Sequence, residues 1–164
     1  MSMIGNLLRV SFSEFEAYLK DSSLLEARLD GALDQEDPNL VDIDKSWDGI
    51  NFLLTGSIVG DSDHPLEKVL FSMQYIDESQ DLGYGPANYV TPDQVKEINE
   101  EISKISDEEL SKRYDSKKMR ELELYPNGWE EPDMLNYLIE NFKTVRETYA
   151  LASNNDQAII TFLS

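Results

Sequence analysis

Cysteine is absent from the 164 residues, which excludes thiol nucleophiles, thiolate metal sites and a disulfide framework. Histidine is almost as scarce. Any imidazole acid or base must be His64, the only histidine in the chain, and no serine stands beside it in a motif that would make it the base of a nucleophilic pair. It precedes Pro65 in a polar stretch and reads as a surface-loop residue. Positive charge is the third scarcity. With 14 Lys+Arg against 33 Asp+Glu the formal net charge is −19, a field that repels phosphate backbones and anionic membrane surfaces and draws in basic partners. Direct nucleic-acid binding and membrane association are therefore not expected. No run approaches the roughly 18 apolar residues of a bilayer-spanning segment, and the first residues lack the basic start and sustained apolar stretch of a secretion signal. A cytoplasmic protein is the expectation.

Hydrophobic content of 40% and charged content of 29% are those of an ordinary globular protein, which excludes disorder and fibrous architectures. The length is that of one domain, so a single domain over residues 1–164 is expected. Residues 42–56 hold its densest apolar piece: Trp47, Ile50, Phe52, Leu53 and Leu54 leave no wide polar face, and predict a helix buried on most sides. Asp44 is the candidate N-cap of that helix and Gly56 its left-handed terminator. Asn51 falls on the stripe of Trp47 and Leu54, so it must either find buried hydrogen-bond partners or open onto a cleft.

The flanking chain alternates helix signals with two strand signals at its ends. Residues 3–10 predict a strand, followed by a helix capped by Ser11 or Ser13, with Glu14 and Glu16 three residues on. Leu24, Leu25, Ala27, Leu29 and Ala32 predict a second short helix before a turn over residues 34–39. After a polar loop, Pro65 starts a helical turn, and residues 69–75 fit helix and strand equally. Thr91, Pro92 and Gln94 form a capping box with proline at the first helical position, followed by Val95, Ile98, Ile102 and Ile105 at helical spacing. Ser106 and Glu109 suggest a second box. Pro126 and Gly128 impose a turn, and Pro132 opens a last long helix carrying Leu135, Leu138, Phe142, Val145 and Tyr149. Residues 158–163 predict a terminal strand, expected beside the first. Strands at both ends and helices between them predict one compact layered α/β (α+β) domain, a small mixed or mainly antiparallel sheet covered by helices.

Three pieces carry a family resemblance. They are Asp44-Lys45-x-Trp47 with Phe52-Leu53-Leu54-Thr55-Gly56, then Gly83-Tyr84-Gly85-Pro86-Ala87 with Thr91-Pro92, then Tyr125-Pro126 with Trp129. In order and spacing they resemble the bacterial YfbM-like family across most of the chain. The family is a domain of unknown function, so the resemblance implies a compact α/β layered fold in a bacterial cytosolic protein, with no activity and no catalytic residue to carry over.

The remaining constellations are bland. Asp42, Asp44 and Ser46 have the odd-position spacing of a calcium loop, but Trp47 and Leu53 stand where that loop needs glycine and glutamate. Asp61, Asp63 and His64 have metal-ligand chemistry in a stretch that reads as a polar loop. Gly83-x-Gly85 lacks the third glycine of a dinucleotide site. Neither a metal nor a cofactor is expected. Two function classes remain. The first is a non-catalytic acidic interaction protein, inhibitor-like or immunity-like, docking a basic protein by electrostatic steering. The second is a small-molecule binder or enzyme whose cleft gathers Lys45, Trp47, Asn51, Tyr84, Asn88, Tyr125 and Trp129. Charge favours the first, and the surface discriminates: a carboxylate patch without a cleft supports docking, a concave site lined by these residues supports a ligand.

Overall fold

The computed structural model describes residues 2–164. Its sheet is antiparallel throughout, with strands in the order β2-β1-β4-β3. The two chain ends lie at its centre: β1 (Gly5–Val10) pairs with β4 (Ala158–Leu163), from Gly5 opposite Leu163 to Val10 opposite Ala158. The edges are strands of three residues, β2 (Leu40–Asp42) beside β1 and β3 (Asn88–Val90) beside β4. Short edges offer little unpaired backbone to another chain. The sequence Ala-Ile-Ile-Thr-Phe-Leu of β4 has no solvent-facing alternation, because both faces of the sheet are covered.

Alternate residues feed two cores. Leu7, Val90 and Ile159 face the larger one, with α3 (Trp47–Thr55), α4 (Pro92–Ile102), the short α5 (Asp107–Arg113) and α6 (Ser116–Glu121), and the long α7 (Met134–Asn154). Leu8, Val10, Ala158, Ile160 and Phe162 face the smaller one, under α1 (Phe12–Lys20) and α2 (Ser23–Asp34). Helices on both faces of one sheet make the compact α+β domain that the order of elements predicts. Among the described residues no helix is long and apolar enough to cross a membrane.

Local signals explain most boundaries. Ser11 and Glu14 exchange both bonds of a capping box at α1, and Thr91 and Gln94 do so at α4 with Pro92 at its first turn. Ser106 accepts the Glu109 amide at α5, while Glu109 itself turns to Arg113, so only half of the second box forms. Gly56, at φ 74°, closes α3 by donating to Phe52 O.

Several expectations are corrected. Asp44 does not cap α3: it sits at φ 53° at the head of a 3-10 turn, Asp44–Ser46, and its carboxylate instead accepts the Tyr137 hydroxyl at 2.6 Å. The first strand begins at Gly5 rather than residue 3, and α7 begins at Met134, beyond Pro132. Residues 71–74 are neither helix nor strand, and Tyr75 makes only an isolated bridge to Asn88.

Candidate functional site

At the end of the sheet where β1 and β3 begin and β4 ends, an opening of about 180 Å³ lies between the sheet and the chain on either side. Its floor is Gly5, Thr161 and Leu163, and its walls are Trp47, Phe71, Tyr75 and Tyr84. Gly5 permits this assembly, since a Cβ there would lie 3.0 Å from Ile43 Cγ1 and 3.1 Å from Trp47 Cβ. Trp47 is held from three directions. Its indole N–H donates to Met3 O at 2.9 Å, Tyr125 stacks on it at 5.5 Å between centroids, and Phe71 meets it edge-on at 5.7 Å.

Tyr84 is carried by a tight turn. Asp81 Oδ1 accepts the amides of Gly83 and Gly85 at 2.9 and 3.1 Å, and both glycines sit at positive φ, 129° and 99°, where a side chain would be strained. Those two bonds hold the Asp81 carboxyl below its ordinary range. The opposite wall is the segment 71–74. Met73 N donates to Asn88 Oδ1 at 2.8 Å, Ser72 Oγ donates to Tyr89 O at 2.6 Å, and Gln74 exchanges amide bonds with Gln94 of the α4 capping box.

Of the residues proposed from sequence, Trp47, Tyr84 and Asn88 line this opening. The others do not. Tyr125 stands behind Trp47 as its stacking partner. Lys45 lies in the 3-10 turn, its backbone amide donating to Tyr137 Oη. Trp129 is 2% exposed and donates its indole N–H to Leu124 O inside the larger core. Asn51 is 1% exposed and reaches Ser57 O at 3.4 Å, which answers the question posed by its position on the stripe of Trp47 and Leu54 in favour of burial. Conversely, sequence reading passed over Asn6, Phe71 and Thr161, which reach the opening only through strand register and a loop without periodicity. Asp81, two and four residues before the paired glycines as an Asx turn requires, signals only the turn that carries Tyr84.

Chemically the lining is aromatic and amide. It contains no carboxylate, lysine, arginine or histidine. Thr161 Oγ1 is committed to Leu70 O at 2.6 Å, and Asn6 Nδ2 to Ile4 O and Ser164 Oγ at 3.0 and 2.9 Å. On this face of the sheet the Asn88 Nδ2 donor and the Tyr84 hydroxyl make no hydrogen bond to another described residue, whereas Asn6, alternating with Gly5 and Leu7, turns its side chain to the opposite face with Leu8 and Phe162. His64 lies elsewhere, its Nδ1 accepting Leu66 N at 3.0 Å. Among the described residues no group of three or more His, Asp or Glu is placed to hold a metal ion.

A family model described as "Domain of unknown function (DUF1877)" matches residues 1–162. The crystal structure of YfbM from Escherichia coli, a protein of unknown function, resembles this chain with a TM-score of 0.78 at 19% identity, covering 99% of this chain and 100% of that one. At that identity the likeness is one of fold. No curated protein matches the sequence.

Proposed function

The chain belongs to the DUF1877 family, and from that premise we propose that it is a non-catalytic binding protein whose cleft at Trp47, Tyr84 and Asn88 takes a small, uncharged, planar molecule. One observation carries the reading: a partly open aromatic lining offers the free amide donor of Asn88 and the free Tyr84 hydroxyl, with no group suited to proton transfer near neutral pH. An opening of about 180 Å³ is smaller than the roughly 300–1,000 Å³ of drug-sized sites, which restricts the ligand to about one ring. A planar amide or lactam suits it, stacking on an aromatic wall while its carbonyl accepts from Asn88 Nδ2 and its N–H donates to the Tyr84 hydroxyl oxygen. The setting assumed is the bacterial cytoplasm, which the family resemblance implies.

Saturation-transfer NMR with nicotinamide and uracil as probes, and nicotinate as the charged control, tests the proposal. The uncharged probes should show transfer that Asn88→Asp abolishes, because aspartate keeps the acceptor for Met73 N but replaces the free donor. Absence of transfer to both uncharged probes, or equal transfer with the variant, would contradict it.

A further inference from the structure

The sheet end carries a second concavity on its other face, between α2 and the turn that holds Tyr84. Its volume is about 370 Å³, and its lining is largely apolar: Leu29, Leu33, Leu40, Leu82 and Phe162. Leu33, which lines it, is 85% exposed, the most exposed large apolar side chain among the described residues. The rim is Glu26, Asp30 and Asp81. None of these carboxylates is in an ion pair among the described residues, and no lysine or arginine lines the groove. The arginine of α2, Arg28, turns away to Glu14 and Asp37, at 2.9 and 2.8 Å. Glu26 and Asp30 stand one turn apart on α2, as do Leu29 and Leu33, so a charged row runs alongside an apolar one.

Leu33 is exposed, Leu29, Leu40 and Leu82 are half-buried and Phe162 is buried, so the groove suits an apolar occupant, and charge selects among the candidates. A second copy would bring another net charge of −19 to the interface, and anionic membranes and nucleic acids are repelled by the same field. A partner with lysine or arginine flanking an apolar stripe satisfies both rows at once. We propose that this groove docks an amphipathic basic helix of a partner protein, its apolar residues seated between Leu33 and Phe162 and its cations against Glu26, Asp30 and Asp81. The groove shares Asn6 and Phe162 with the aromatic cleft, and Asp81 also holds the turn of Tyr84, so the two proposals are told apart by Glu26, Asp30 and Leu33 on one side and Asn88 on the other.

The probe is a labelled amphipathic Leu/Lys helix matched to the 12 residues of α2, followed by fluorescence anisotropy against a scrambled peptide of the same composition. The ordered peptide should bind at least about tenfold tighter than the scrambled one, because only it aligns both rows. Combined Glu26→Gln, Asp30→Asn and Asp81→Asn should weaken it about tenfold, whereas Glu97→Gln, Glu100→Gln and Glu101→Gln on α4, removing equal charge elsewhere, should cost less than about threefold. Leu33→Ser, at an exposed position with no role in the core, should weaken it about fivefold or more. Equal binding of the two peptides, equal losses from the two charge sets, or indifference to Leu33→Ser would each overturn the proposal. Asn88→Asp should leave peptide binding unchanged, which keeps this result distinguishable from that of the cleft.

Discussion

Gly49 has no side chain because its neighbours fill the space that one would occupy. A Cβ there would lie 2.7 Å from Trp129 Cη2 and 2.8 Å from Leu138 Cδ2. Alanine is the better helix former by about 1 kcal/mol, but overpacking a dense core costs about 1–3 kcal/mol. Gly49→Ala should therefore destabilise, and a lower urea midpoint is the check. Next to it, Asp48 is partly buried, and that desolvation raises its carboxyl pKa, opposed by a bond from Tyr125 N at 2.8 Å. A carboxyl with a raised native pKa favours the fold while protonated. The benefit is complete below the unfolded value near 3.8 and is lost as pH rises through the native value. Asp48→Asn keeps an acceptor for Tyr125 N without the charge. It should match the parent at about pH 3 and exceed it in stability at about pH 7, as paired denaturant titrations at those values would show. Neither residue announces itself in sequence: Gly49 reads as a weak point in a helix, and Asp48 as an ordinary first-turn acid. Asn51 was legible as a polar residue on a buried stripe, but nothing in the spacing pointed to the Ser57 carbonyl as its partner.

Helices announced themselves through caps and periodicity together. Thr91, Pro92 and Gln94 marked the start of α4 to the residue, although the stripe ran on to Ile105, and Ser11 or Ser13 marked that of α1, where Ser11 with Glu14 makes the box. The missed elements, β2 and β3, are three residues each, too short for alternation to register, and they form because β1 and β4 give them partners. The same lack of local pattern hid segment 71–74, and with it half of the candidate cleft. Gln94 links the two kinds of element: its Oε1 accepts from both Thr91 N and Gln74 Nε2, at 2.9 and 2.8 Å. Thr91→Ala should cost about 1 kcal/mol through loss of the cap alone. Gln94→Ala should in addition free the 71–74 wall, seen as faster amide exchange at Tyr89, whose N–H donates to Gln74 O at 2.8 Å. Unchanged exchange there would mean that Gln94 serves only α4.

For the molecule as a whole, pairing of the two chain ends at the sheet centre decides where function can sit. β1 and β4 run antiparallel between both cores, β1 beginning where β4 ends, so one end of the sheet presents Gly5, Asn6, Thr161 and Phe162 to the two concavities on its opposite faces. Strands at both chain ends and helices between were enough to foresee a small sheet covered by helices. They could not foresee that three of the proposed site residues converge while Lys45, Asn51 and Trp129 serve turn and core, because that division depends on packing across long sequence separations. The central claim is that the aromatic cleft holds a neutral planar ligand through the free donor of Asn88. The most direct measurement is the side-chain amide signal of Asn88 in ¹⁵N-labelled protein titrated with nicotinamide. The account predicts a saturable shift of Asn88 Nδ2 together with the Trp47 indole, with the Trp129 indole unmoved. A shift confined to exposed surface amides, or none at Asn88, would contradict it.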